Sequence, residues 1–379
     1  MNDQLTSLLV AAALLLISSA YAPAANQGVG TPQDLCGAVG DLHFVCGIEH
    51  PEDLAHIPGT RWLIASGFAN GAGLKLVDTG ARTMRFWYRG EPSQIQPDKN
   101  IYPDCPAAPD VRLFNAHGIS LRAEGRGRYR LYVVDHGGRE SIDVFNVDVR
   151  GTVPALAWKG CVAMPDGLAA NSVASFADGT ILATVLTRAG YTYADFVNGK
   201  NTGGVYEWQP GMHRFRLLPG TELPGNNGLE TARDDTEFYV VAYGLHSIFV
   251  YARGNTARPL RRVVAPGFMP DNIHWDGDRL LTAGMTYDEP ACGGIRKVIN
   301  GVADSMRCHR GYVAAQLDPR TLKFSILAYG EPNPAYNGVT TAVVVGEDLW
   351  LGSYQSDRLA FRLLPGAGAP EPDQRRGQK

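Results

Sequence analysis

Short apolar runs recur along the chain, each bounded by Gly, Pro, Asn or Asp and each too short to be a helix. The clearest are Trp62-Leu63-Ile64-Ala65, Tyr132-Val133-Val134, Ile181-Leu182-Ala183-Thr184, Phe238-Tyr239-Val240-Val241, Leu280-Leu281-Thr282-Ala283 and Leu349-Trp350-Leu351. Runs of this length, bounded in this way, predict β-strands. A looser unit surrounds each one: a turn residue, a short strand carrying a polar side chain, a Gly or Asp turn, the apolar run, then one or two alternating strands. The units run from Pro51 to Trp87, Asn115 to Val162, Ala170 to Leu218, Gly225 to Val264, Pro270 to Tyr329 and Asn337 to Leu364. With Glu52, His117, Asn171, Asn227, Asn272 and Asn337 marking the first strands, the spacings are 65, 54, 56, 45 and 65 residues. Four short strands repeated six times predict an all-β fold, a six-bladed β-propeller with four-stranded blades around a central channel. The single propeller domain is expected over residues 25–365, with the six marks gathered at the channel mouth. No amphipathic helical pattern of useful length supports a βαβ alternative; tandem sandwiches or a jelly roll are the rival all-β architectures.

Composition agrees with a turn-rich fold, since 44 Gly and 24 Pro fall among 379 residues. A net charge of −3 leaves no basic excess to condense on phosphate, so no nucleic-acid partner is expected. Residues Leu8 to Ile17 form an apolar run of signal-peptide length, and Ala22-Pro23-Ala24 places small residues at a cleavage site. Residues 1–24 are therefore read as a signal peptide, with a periplasmic or secreted product, no stable membrane anchor, and a monomer or small homo-oligomer. The polar tail at 366–379 reads as disordered. Six cysteines suit an oxidising compartment. The short separations of Cys36 from Cys46 and Cys292 from Cys308 suggest two local loop closures, leaving Cys105 with Cys161; no C-x-x-C pair points to zinc.

The marks are chemically uneven. Glu52 with Asp53, Asn171, Asn227 and Asp271 with Asn272 are oxygen donors, and His117 is a base. Carboxylates mixed with neutral amides suit Ca2+, which takes six to eight oxygens; the same Asn and Asp residues also serve as plain turn formers.

Several stretches, in order, resemble the paraoxonase, arylesterase and lactonase family within the wider gluconolactonase and senescence-marker-protein group of propellers. They are Glu52-Asp53-Leu54 with Ile64-Ala65-Ser66-Gly67; Asn115-Ala116-His117-Gly118-Ile119-Ser120; Leu131-Tyr132-Val133-Val134-Asp135-His136 leading into Ser141-Ile142-Asp143-Val144-Phe145; Asn171; Asn226-Asn227-Gly228-Leu229; and Pro270-Asp271-Asn272-Ile273. The resemblance implies a catalytic calcium held by Glu52, Asn171, Asn227, Asp271 and Asn272, with His117 and His136 as the family's histidine pair. A second, structural calcium would use Asp53 and the carbonyl of Ile119, but Ser172 stands where the family has an aspartate. No cysteine beyond Cys308 can staple the last strand to the N-terminal region as in animal paraoxonases, so closure falls to strand pairing or to other bridges.

The expected activity is calcium-dependent hydrolysis of lactones or aryl esters, a small-molecule ester or lactone being the partner. The calcium would polarise the carbonyl, His117 would activate water, and His136 would orient His117 or relay through it. Within the same site, Asp271 or Glu52 could instead act as nucleophile or base. The other functional classes are a non-hydrolytic propeller enzyme similar to strictosidine synthase relatives, and a ligand-binding propeller with a structural ion. Neither G-x-S-x-G nor H-E-x-x-H occurs. His43, His50, His56, His213, His246, His274 and His309 are read as surface or core residues. Long insertions at Tyr88 to Asp110, Thr187 to Thr202 and Thr286 to Arg310 carry Tyr88, Tyr102, Tyr191, Tyr193, Phe196 and Tyr287. These aromatics either wall a pocket or pack the loops down.

Overall fold

Each apolar run singled out above is the second strand of a four-stranded antiparallel sheet. The computed structural model describes residues 36–304 and 307–364, so the leader at 1–24 and the tail at 366–379 lie outside the described residues. Blade 1 runs Leu54–His56, Trp62–Ala65, Lys75–Asp78 and Thr83–Phe86. Blades 2, 3 and 4 begin at Ala116–Gly125, Val173–Ser175 and Asn226–Thr231 and repeat that up-and-down order. Blade 5 begins at Ile273–Asp276 and blade 6 at Val339–Val345. The first strands touch in a closed ring, blade 6 meeting blade 1, and so line the axis. Six sheets with these contacts form the six-bladed propeller.

The fourth strand of blade 6 does not follow its third in sequence. It is His43–Cys46, which pairs antiparallel with Arg358–Leu363, Phe44 opposite Ala360. The last repeat therefore shows only three strands in sequence, and the ring is shut by hydrogen bonds that leave one fewer exposed edge. Trp350 stacks on Phe361 across these strands, and the Arg82 guanidinium of blade 1 lies over both rings while pairing with Asp348 at 2.5 Å. The seam is thus held by aromatic packing and a partly buried charge pair.

Why the second strands read as unbroken apolar runs is now clear. Each is buried on both faces between neighbouring blades; all four residues of Trp62–Ala65, for example, are buried. The three disulfides join Cys36 to Cys46, Cys105 to Cys161 and Cys292 to Cys308, the pairing that the spacing suggested. Three such bonds fit an oxidising compartment. Among the described residues no helix is long and apolar enough to cross a membrane.

The insertions behave differently from one another. The first packs down on the outside: Tyr102 stacks on Trp208, Tyr88 meets Phe114 and Phe145 edge-on, and Cys105–Cys161 ties the loop to the outer strand of blade 2. The second and third both leave the ends of second strands, in blades 3 and 5. The second carries the helix Tyr193–Val197; the third folds into two small hairpins. Phe196 packs with Tyr243, Met269 and Met285, residues at the matching ends of blades 4 and 5, with Tyr287 and Tyr354 against them. The second and third insertions thus form a lid over one end of the propeller.

Candidate functional site

First strands begin under that lid, and their opening residues are the ones marked in the sequence. Two of them lie in β-bulges: the register shifts between Ala116 and Ile119, and between Asn226 and Leu229. A bulge re-aims a side chain, and here the re-aimed residues are His117 and Asn227. The glycine after each has a steric reason. A Cβ on Gly118 would lie 2.5 Å from the Asn171 carbonyl oxygen, and one on Gly228 would lie 2.2 Å from that of Asp271. Only glycine lets the strands approach so closely at the axis.

Threonines fix the backbone behind these side chains. Thr184 Oγ1 donates to the Asn227 carbonyl at 2.6 Å, Thr282 Oγ1 to that of Asn272 at 2.7 Å, and Thr340 Oγ1 to that of Glu52 at 2.6 Å. They occupy second-strand or first-strand positions whose polarity inside a buried strand was the available signal.

Four of the five expected oxygen ligands, Glu52, Asn227, Asp271 and Asn272, come together, and Asn171 precedes the first strand of blade 3. Asn272 Nδ2 donates to Glu52 Oε1 at 2.8 Å, and Asn227 hydrogen-bonds the Asp271 carboxylate. Glu52, Asn227, Asp271 and Asn272 are buried, and Asn171 is half-buried. Four oxygens remain without a hydrogen-bond partner: Glu52 Oε2, Asn171 Oδ1, Asn227 Oδ1 and Asn272 Oδ1. Each costs about 1–3 kcal/mol if left so. Burial, then the charges of Asp53 and Asp271, hold Glu52 well above the usual carboxylate range; burial pushes Asp271 up to about 8 against the Asn227 hydrogen bond. Two carboxylates and three amides, four of their oxygens buried without a partner, fit a hard cation, and one held there would relieve both costs. Among the described residues no three His, Cys, Asp or Glu side chains gather as a metal site. The sixth mark, Asn337, stands apart: its Oδ1 accepts from the Arg310 backbone N–H at 3.2 Å and so anchors the third insertion.

The second set of expected ligands has a different arrangement. Asp53 Oδ1 accepts from Leu54 N–H at 2.9 Å and from His274 Nε2 at 2.7 Å, and its Oδ2 accepts from Ile119 N–H at 2.8 Å. Burial alone would lower the His274 pKa, but the charge of Asp53 and the hydrogen bonds to Asp53 and Glu230 push it up to about 10. An imidazolium thus fills the place a second cation would take, and these residues do not fit another ion. His274 was passed over in the sequence, although it lies two residues beyond Asn272 and so points to the same side of a strand.

Beside the cradle stands a relay. His117 Nδ1 is 3.0 Å from His136 Nε2, and His136 Nδ1 is 2.7 Å from Glu140 Oε2. With Glu140 accepting from His136 Nδ1–H, the tautomer in which His136 Nε2 accepts from His117 Nδ1–H leaves His117 Nε2 free to take a proton. That nitrogen is 3.5 Å from Glu52 Oε2. Burial, then the neighbouring His136, hold the His117 pKa well below its usual value. Phe68 stacks on the His117 ring at 4.0 Å and 10°. Neither Glu140 nor Phe68 was legible in the sequence, because each belongs to a turn whose path only the fold sets.

No family model and no curated protein matches the chain. Among solved structures, it is similar to a luciferin-regenerating enzyme, at 13% identity over 85% of this chain and 93% of that one, TM-score 0.48. It is similar to a gluconolactonase candidate at 13% identity, 88% and 96% coverage and TM-score 0.48. It is also similar to a calcium-binding regucalcin from Agrobacterium tumefaciens, at 11% identity, 84% and 91% coverage and TM-score 0.46. The architecture described above rests on the sheets of this chain, not on these likenesses.

Proposed function

We propose that this protein is a calcium-dependent hydrolase of lactones or aryl esters, with one calcium held by Glu52, Asn171, Asn227, Asp271 and Asn272. The observation that carries the reading is the set of four orphaned buried oxygens, one of which, Glu52 Oε2, is 3.5 Å from His117 Nε2. Calcium supplies positive charge against an ester carbonyl oxygen as negative charge develops on it. His117 Nε2 takes a proton from the attacking water, and the positive charge gained is shared through His136 toward Glu140. Phe68 keeps the ring in plane and excludes solvent from one face. Asp271, buried and hydrogen-bonded by Asn227, belongs to the cradle in this reading rather than acting as nucleophile.

The test is turnover of phenyl acetate and of a simple γ-lactone before and after chelation, with calcium added back. Asp271→Ala is expected to lose both turnover and the thermal stabilisation by calcium, whereas His117→Gln loses turnover and keeps the stabilisation. Activity that survives complete removal of divalent ions refutes the reading.

A further inference from the structure

The third insertion brings two buried arginines to the lid, and they differ in what surrounds them. Arg310 is used internally: its guanidinium donates to the Tyr287 and Gly294 carbonyls and to Asp304 Oδ2 at 2.9 Å. Arg296 has no such partner. Its side chain is 7% exposed, its Nε donates to nothing, and among the described residues no carboxylate pairs with it. The backbone holds it in place through Arg296 N–H to the Tyr287 carbonyl at 2.7 Å. Its guanidinium lies over the Tyr243 ring, 4.7 Å from the centroid, and bonds the Tyr243 phenol.

Tyr243, the ring that guanidinium covers, donates its backbone N–H to the Gly225 carbonyl at 2.9 Å, two residues before the cradle's Asn227. The charge of Arg296 reaches Asp271, Tyr193, Tyr243 and His246, and Tyr193 also feels Asp271 and Glu52. Once a divalent ion balances Glu52 and Asp271, the charge of Arg296 is left without an opposite in a water-poor place. Such a cation is costly to bury unless an anion joins it. A planar guanidinium matches a carboxylate fork.

We propose that Arg296 recognises a carboxylate on the substrate, so that the preferred ester or lactone carries a carboxylate on its acyl portion, away from the bond that breaks. This deepens the hydrolase reading and rests on it. The test compares phenyl hydrogen glutarate with phenyl pentanoate, which share a leaving group and an acyl length. Wild type is expected to favour the glutarate in kcat/KM by roughly 10- to 100-fold, the range of a charge-assisted hydrogen bond. Arg296→Met brings that ratio near one, and Arg296→Lys, which keeps charge but not the fork, retains part of it. Binding is measured separately on the calcium-loaded protein with the amide analogues N-phenylglutaramic acid and N-phenylpentanamide, where the same preference and the same loss in Arg296→Met are expected. If neither ester is cleaved with calcium present, the hydrolase reading fails and the amide pair alone decides the role of Arg296. A wild type that binds both amides equally overturns the proposal, even if Arg296→Met does not fold; so does a preference that Arg296→Met leaves intact.

Discussion

Replacing His274 by Met removes the cation buried against Asp53. Asp53 has no exposed side-chain surface and His274 has 14%, so solvent screens the pair little. The His274 pKa lies at about 10 against 6.5 unperturbed. That gap corresponds to roughly 5 kcal/mol at 1.36 kcal/mol per tenfold change in proton affinity. Removing one member of a buried pair generally costs about 3–5 kcal/mol, because the survivor stays charged and unpaired. The expected loss is therefore about 3–5 kcal/mol in equilibrium urea unfolding. Asp53→Asn combined with His274→Met removes both charges, and most of the loss is expected to disappear. The pH course gives an independent sign. The folded pKa is raised, so the contribution is complete below 6.5 and fades as pH rises through about 10. Wild type is thus expected to lose more stability between pH 7 and 10 than the Met variant, the Glu52 and Asp271 contributions being common to both. A His274→Met variant within 1 kcal/mol of wild type at pH 7, or a double variant no better than the single, refutes the assignment of His274 as the cation of the channel.

Gly228→Ala forces a Cβ to within 2.2 Å of the Asp271 carbonyl oxygen, so it is expected to lower the unfolding midpoint and to weaken calcium binding by titration calorimetry, whereas Gly59→Ala, next to no atom within 4 Å, is expected to leave calcium affinity unchanged. Glu140→Gln leaves the cradle intact but loosens the tautomer of His136; kcat is expected to fall roughly 10- to 100-fold, part of what a positioned base contributes, with calcium affinity retained. An equal loss of calcium binding would place Glu140 in the wrong role. Without metal, Glu52 and Asp271 have folded pKa values raised above their unfolded ones, so the folded chain holds extra protons and stability falls as pH rises from about 4 to about 8. Thermal midpoints in chelator are expected to drop between pH 5 and 8, and calcium is expected to recover more at pH 8; a metal-free protein that is more stable at pH 8 contradicts the arrangement.

What the sequence determined by itself was whatever repeats or lies close along the chain. Six apolar runs buried on both faces need no tertiary knowledge to be read as strands, and Glu52, Asn171, Asn227 and Asn272 mark the first strands of repeats 1, 3, 4 and 5, with Asp271 beside Asn272, so their placement at one end of the axis follows from radial symmetry. Two of the disulfides close short loops, and the third was left by elimination. What only the tertiary structure decided involves groups far apart in sequence. His43–Cys46 completes blade 6, a pairing across the full ring that no local pattern announces. His274 meets Asp53 across 221 residues, and its meaning lies in the shared burial, which turns an ordinary histidine into the counter-charge of a carboxylate. Arg296 reads like any other arginine in a loop until the lid folds down and removes its water. Periodicity is a property of the chain, whereas desolvation and opposite charge belong to what surrounds a residue, and only folding supplies that.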